Sequence, residues 1–430
     1  MELSRIAELA KQDAGGKFYS IAHLLTKGAL WEAFEALRKD AAAGVDGVTY
    51  ADYEEHLIEN LGKLHEKLTS QTYRAQPLRR IYIDKEDGRK RPISIPSLED
   101  KIVQRATVAL LNAIFEQDFL DCSYGFRPGR SAHQALDEVG RVLCTKPIEF
   151  VLELDICTYF DSIVRKPLME MIEQRVSDAS ILRLIGKWIN IGVIDHGRLL
   201  QSETGTGQGQ IVSPLLANVY LHHVLDVWFE EQVKPRLKGQ AYEIRYADDA
   251  IVCFQYREDA QRVLEVLPKR FAKYGLRLHP QKTRLVAFGR GAHHQAKRTK
   301  TKTATFDFLG FTHRCATSRA GKFVVHVATM KKRLKRGIKA IADWCRAHRH
   351  DPMEHQQRML NAKLRGHYQY YGRPTNYRSL GRFYRAVRRL WRKRLNRRTR
   401  GKPLSWQRFV KLLARYPLLP PRITHAWTTR

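Results

Sequence analysis

Tyr246-Ala247-Asp248-Asp249 lies between two short apolar runs, Ala241-Tyr242-Glu243-Ile244-Arg245 and Ala250-Ile251-Val252-Cys253-Phe254. β-Branched and aromatic residues on both sides of a short polar break are the pattern of a β-hairpin, so two adjacent carboxylates stand at its bend. Taken alone, two acids at a turn describe a solvated bend as well as they describe a metal site. A third acid changes that balance. Asp155 ends the run Phe150-Val151-Leu152-Glu153-Leu154-Asp155-Ile156, where a carboxylate is costly to bury without a partner. Strand periodicity turns Leu152 and Leu154 to one face and Val151, Glu153 and Asp155 to the other, which frees Asp155 to leave the core and enter a cleft. If the two segments are neighbours in one sheet, Asp155 meets Asp248 and Asp249. Three carboxylates held together repel one another unless cations neutralise them, and hard oxygen ligands select magnesium, or manganese in its place, over zinc. Phosphoryl transfer at a site with two metal ions is the expected chemistry.

Further motifs stand in order around these acids: Asp155-Ile156-Cys157-Thr158-Tyr159-Phe160-Asp161, then Gly205-Thr206-Gly207-Gln208-Gly209-Gln210-Ile211-Val212-Ser213-Pro214-Leu215-Leu216-Ala217-Asn218. Together with the Tyr-Ala-Asp-Asp hairpin this order resembles the reverse transcriptases of bacterial group II introns. The resemblance begins at Gly44-Val45-Asp46-Gly47-Val48-Thr49 and continues through Ser123-Tyr124-Gly125-Phe126-Arg127-Pro128-Gly129-Arg130-Ser131. It ends at Leu364-Arg365-Gly366-His367-Tyr368-Gln369-Tyr370-Tyr371-Gly372, so that nearly the whole chain is covered. It implies an α+β right-hand polymerase, fingers and palm, with an N-terminal helical extension and an all-α thumb, the maturase X domain.

The same resemblance implies residue roles. Asp155 and Asp248 bridge two magnesium ions with Asp249 assisting, and the Ile156 carbonyl completes a metal shell. Lys282, in Gly275-Leu276-Arg277-Leu278-His279-Pro280-Gln281-Lys282-Thr283, matches the lysine that protonates the leaving pyrophosphate, while His279 is read as structural. Lys85 and Arg91 flank the fingers turn and hold the incoming triphosphate, one as a point charge and one as a fork; a solvated basic hairpin is the plainer alternative. Phe160 is either a steric gate against the ribose 2′-hydroxyl or ordinary core beside Tyr159. Gln208 and Gly209 let the backbone approach the nascent base pair, although Gly207 stands where the family has proline and Gln210 where it often has glycine or serine. Gly310, in Phe308-Leu309-Gly310-Phe311, matches the primer grip. Asp161, six residues beyond Asp155, is read as structural or as a helix N-terminal acid.

The elements that must position these groups divide the chain. Residues 1–75 read as helices around the 44–47 loop, an N-terminal extension. Residues 76–146 form the fingers, with a hairpin over 78–84 and 91–96 around Glu86-Asp87-Gly88 and a long helix over 98–119. The palm spans 147–313: the Asp155 strand, helices near 165–192, the glycine-rich turn at 205–209, a helix opened by Ser213-Pro214, the two-acid hairpin, a helix near 258–274 and returning strands. Residues 289–305, polar and basic, read as a mobile loop, and beyond Val324 the pattern is helical to Pro403, giving a thumb over 314–402. The tail, 403–430, is expected to be extended over 417–421.

Composition fixes the class of partner. The 430 residues carry 76 Lys and Arg against 44 Asp and Glu, a net +32 that suits a polyphosphate partner and not a neutral small molecule. Residues 331–400 hold 23 Lys and Arg against only Asp343, Asp351 and Glu354, so this block is the main electrostatic footprint. Arg365, Arg389, Arg392 and Arg394 within it are the candidate RNA contacts, with Tyr368, Phe383 and Trp391 supplying buried helix faces. Six cysteines form no C-x-x-C pair, so neither zinc nor a disulfide framework is expected. No apolar run approaches the ~20 residues that cross a bilayer, and the N-terminus has no signal-peptide core; the expected location is the bacterial cytoplasm, near the nucleoid. The expected partners are structured RNA, an RNA template with a DNA or RNA primer, and deoxynucleotides. The expected function is RNA-directed DNA synthesis with a maturase role in splicing and mobility. Two alternatives stand beside it: a reverse transcriptase serving DNA repair or phage defence, and an RNA-binding maturase without polymerase activity.

Overall fold

The computed structural model describes residues 2–84, 90–195, 197–201, 204–398 and 403–426. Its strands, in chain order, are β1 (Leu78–Asp84), β2 (Lys90–Ile95), β3 (Phe150–Asp155), β4 (Val193–Asp195), β5 (Arg198–Leu200), β6 (Ala241–Tyr246), β7 (Asp249–Phe254), β8 (Arg284–Ala287), β9 (Thr305–Phe308), β10 (Phe311–Thr317) and β11 (Phe323–Thr329). They form three sheets, ordered β6-β7-β3-β8, β2-β1-β4-β5 and β11-β10-β9. Helices and sheets are mixed along the chain, as the α+β expectation requires. Two compact units result: residues 1–139 with 150–285, and residues 140–149 with 286–430.

In the first unit the central sheet is built on β3. Its antiparallel partner β7 sets Leu154 opposite Ala250 and Asp155 opposite Asp249, and β6 pairs with β7 from Ala241–Phe254 to Tyr246–Asp249. Leu152 and Leu154 enter the main core with Val219, Leu225 and Phe254, while Asp155 emerges at the strand end. The alternation read from the sequence therefore holds. Long helices cover this core: Leu98–Phe115, capped by the Ser97 hydroxyl, Ala179–Ile189, capped by Asp178, and Arg257–Lys273. Ser213–Leu221 starts with proline in its first turn and continues through two π-helical turns, His222–Asp226 and Phe229–Val233. The β1–β2 hairpin matches its expected bounds within a residue. The short strands β4 and β5 were not expected; three residues each are too few for a periodic signal, and β4 forms by pairing parallel to β1.

The second unit corrects two readings. Residues 289–305 are not a loop: Arg290–Arg298 is a helix. Its first-turn amides find an acceptor far away in sequence, because the Glu149 carboxylate receives hydrogen bonds from Gly291 and Ala292 N–H at 2.8 and 3.2 Å. Nor does helix begin at Val324: Phe323–Thr329 is β11, paired with β10 along its whole length, and helix starts at Lys331. Phe-Val-Val-His-Val-Ala-Thr is rich in β-branched residues, which pack well on a pleated surface. Beyond it the helices Lys331–Ala347, Met353–Tyr371, Tyr377–Leu395 and Trp406–Arg415 enclose Leu360, Leu364, Tyr368, Phe383, Val387, Trp391 and Phe409. Tyr368, Phe383 and Trp391 are buried as expected. The extended tail straps onto Met353–Tyr371: the Pro417 carbonyl accepts from Gln357 and Asn361, and the Tyr368 hydroxyl donates to the Leu419 carbonyl.

Candidate active site

Asp155 stands where β3 meets the two-acid turn, and its backbone is pinned as firmly as its strand. The Asp155 carbonyl accepts the His279 N–H at 2.7 Å, Cys157 N–H donates to Arg277 O at 2.9 Å, and Ile156 bridges Leu278. Residues 277–283 are thereby brought to the carboxylate, and the Lys282 ammonium donates to Asp155 Oδ2 at 2.8 Å. Both side chains of this pair are more than a third exposed, so the contact is an accessible one. His279 holds this turn through its backbone, in keeping with a structural role.

Asp248 is half-buried in the turn and Asp249, at the head of β7, is exposed. Burial raises the Asp248 carboxyl above its ordinary pKa and the nearby Asp155 charge adds to that, against the opposing charges of Arg91 and Arg245. Asp155, Asp248, Asp249, Arg91 and Lys282 are thus gathered at one place. The donor set is of hard carboxylate oxygens with the Ile156 carbonyl beside them, which fits a divalent cation such as magnesium or manganese. Lys85 lies outside the described residues.

The glycine-rich turn is attached to the strand that carries Arg91. Ser94 N–H donates to the Gln208 carbonyl at 2.7 Å, and Gly209, with φ +118°, lies so close to Ser94 that a Cβ would meet its carbonyl oxygen at 2.5 Å. Gly207 has φ +67°, a conformation closed to proline, and a Cβ there would strike the Gln210 side chain. The two departures from the family pattern are therefore coupled. Gln210 Nε2 donates to the Trp188 and Thr206 carbonyls and its Oε1 accepts from Gln104, a buried cross-link that fixes the turn. Phe160 is half-buried, its ring 5.6 Å from that of Tyr159, and its carbonyl accepts the Thr206 N–H at 3.1 Å.

Sequence reasoning missed what holds the two-acid turn. Arg245, wholly buried, makes a fork on Asp226, with Nε–Oδ1 at 2.7 Å and Nη2–Oδ2 at 2.5 Å, and its Nη1 donates to the Asn218 Oδ1 and to the Ala247 carbonyl at 2.9 Å. Ala247 itself has φ +56°, an uphill conformation for a residue with a Cβ. Asn218 donates to the Gly125 carbonyl at 2.6 Å, and a Cβ at Gly125 would overlap the Ala247 backbone nitrogen. An arginine in an apolar strand directly before the turn was the available signal, since such a charge requires a buried partner. Among the described residues, three potential ligand atoms approach within 4.8 Å of one another at Cys122, Asp226 and Glu243, and not at the three aspartates. Arg245 already neutralises Asp226 there, and burial beside Asp226 pushes the Glu243 carboxyl above its usual pKa, which disfavours the charged form a metal ligand needs.

In the second unit Gly310 has φ +80° in the β9–β10 turn, and a Cβ there would meet the Tyr371 hydroxyl at 3.2 Å. Arg365 and Arg389 are exposed on their helices. Arg392 is partly consumed internally: its Nε donates to the Leu404 carbonyl at 2.9 Å and its guanidinium sits 4.4 Å over the Trp406 ring. Arg394 is half-buried. No described helix is long and apolar enough to cross a membrane.

Comparison with known proteins gives the family. Residues 83–313 match the family described as reverse transcriptase (RNA-dependent DNA polymerase). The chain is 39% identical to Protein YkfC of Escherichia coli K12 over 206 residues, 47% of this chain and 53% of that protein. It is 31% identical to the group II intron-encoded protein LtrA of Lactococcus lactis over 280 residues, 62% of this chain and 46% of LtrA. It is 36% identical over 207 residues to a 91 kDa protein in the cob intron of Schizosaccharomyces pombe, 48% of this chain and 25% of that protein. The chain thus spans about half the length, or less, of the curated relatives it matches.

Proposed function

The chain belongs to the reverse transcriptase (RNA-dependent DNA polymerase) family, and from that premise we propose that it is an enzyme of the group II intron type, which copies RNA into DNA and grips structured intron RNA as a maturase. The observation that carries this reading is the register that sets Asp155 opposite Asp249 beside the two-acid turn, with Arg91 and Lys282 at the same place. Fingers over 76–146, palm over 147–313 and thumb over 314–402, after an extension over 1–75, are the proposed functional territories; they cut across the two compact units.

Asp155, Asp248, Asp249 and the Ile156 carbonyl are the proposed ligands of two magnesium ions. Bound there, the ions would neutralise the triphosphate and lower the pKa of the primer hydroxyl. Arg91 offers a planar fork to the incoming phosphates, a role proposed also for Lys85. Lys282, already within hydrogen-bonding distance of Asp155, is suited to give a proton to the departing pyrophosphate. The half-buried Phe160 ring, on a backbone held by the Thr206 N–H, would crowd a ribose 2′-hydroxyl, and the Gln208–Gly209 backbone would approach the new base pair. Arg365 and Arg389, and less freely Arg392 and Arg394, would hold RNA phosphates, with Gly310 near the primer. Extension of a DNA primer on an RNA template, with deoxynucleotides against ribonucleotides and with and without magnesium, tests the polymerase half. The splicing rate of the cognate intron RNA with and without the protein tests the maturase half.

A further inference from the structure

Loop 123–130 is fixed along its length. Tyr124 N–H donates to the Arg245 carbonyl at 2.8 Å, and the Gly125 carbonyl accepts from Asn218. Arg127, nearly buried, donates to Glu116 and to the Leu120 and Ser123 carbonyls and packs on the Phe119 ring. Arg130 pairs with Asp121 and covers the Tyr124 ring. Phe126, in the middle, is the contrast. It is 50% exposed, and its backbone sits at φ +59°, in the left-handed region that a bulky side chain avoids. A large apolar ring held outward in an unfavoured conformation, on a loop this firmly tied, contributes little to the core beneath it.

Its location gives it a use. Gly125 touches the Ala247 backbone, so the Phe126 Cα lies within about 8 Å of the two-acid turn, one residue-to-residue step further on. A duplex whose primer terminus reached Asp248 would end close to this residue. Base–aromatic stacking is tolerant of sequence, as a polymerase requires. We infer that Phe126 is a stacking platform for the terminal base pair of the bound template–primer duplex, a positioning residue that sets the primer end against the metal-binding turn. The inference rests on the polymerase reading above.

The test separates a platform from a structural staple, because the two predict opposite signs. Phe126→Gly relieves the left-handed conformation, so the platform account expects an unchanged or higher melting temperature together with about a tenfold loss of affinity for a short RNA–DNA template–primer, read by fluorescence anisotropy. Phe126→Tyr, which keeps the ring, is expected to restore the affinity. With primer present in excess, extension by the glycine variant should recover most of its rate, so that the defect lies in KM for the duplex and not in kcat. Wild-type duplex affinity in Phe126→Gly overturns the inference, as does a fall in melting temperature that parallels the loss of binding. Duplex binding needs no turnover, so failure of the wild-type chain to extend any primer would count against the polymerase reading while leaving the platform decided by the binding data.

Discussion

Arg245→Met is the substitution from which the geometry yields the fullest consequence. It strands Asp226, whose side chain, like that of Arg245, is wholly shielded from solvent. Removing one partner of such a pair costs about 3–5 kcal/mol, since a buried charge is left uncompensated. At about 2–4 °C per kcal/mol for a unit of this size, the melting temperature should fall by roughly 10 °C. The double variant Asp226→Leu/Arg245→Met removes both charges and should regain most of the stability. It should not regain activity, because the bond from Arg245 to the Ala247 carbonyl is gone and the turn that carries Asp248 is free to shift; misplacement of about 1 Å costs on the order of 100-fold in rate. Glu243→Gln, next to the pair, should match wild type in both assays, because burial favours the uncharged form of that carboxyl. Thermal denaturation and primer extension on the same preparations decide the matter. Recovery of both stability and extension in the double variant would refute the positioning role.

Phe160→Ala should raise ribonucleotide incorporation relative to deoxynucleotide, and an unchanged ratio in a folded variant would favour the core reading. Replacing Arg365 and Arg389 by Gln should reduce the slope of log affinity against log salt for structured RNA by about 0.7–0.9 per lost phosphate contact and impair splicing more than short-primer extension. Arg392→Ala should lower the melting temperature with a smaller change in slope, because its guanidinium holds Leu404 and Trp406. Without metal, the raised pKa of Asp248 means that stability declines as pH rises through and above the ordinary carboxylate range; magnesium should restore it, with the larger gain at higher pH, as melting curves with and without the ion will read.

How much of this was legible in sequence depends on the range of the interactions. β3, the β6–β7 hairpin and the β1–β2 hairpin announce themselves through local alternation and turn residues, so their bounds could be read, whereas the Asp155–Asp249 meeting also required β3 and β7 to be neighbours, a long-range pairing that the sequence left conditional. The helix Arg290–Arg298 could not be read, since the carboxylate that caps it lies some 140 residues earlier, at Glu149. β11 carried a β-branched signal that the surrounding helical, basic pattern masked. The Arg245–Asp226 clamp is hidden for another reason: Asp226 lies in a π-helical turn, where spacing departs from the usual helical period. Gln210 and Gly207 look like separate departures from a motif until their side-chain and backbone contact is seen.

The central claim is that the aspartates at the β3–β7 junction form the metal centre of an RNA-copying polymerase, and the comparison of wild type with Asp248→Asn tests it most directly. Both proteins are measured for magnesium-dependent extension of a DNA primer on an RNA template and for affinity to a structured RNA. Extension by the wild type, none detectable by Asp248→Asn, and RNA affinity within about twofold of each other is the predicted result, because a single uncharged replacement removes a metal ligand from a chain whose net charge is +32. Extension by Asp248→Asn at the wild-type rate would contradict the account.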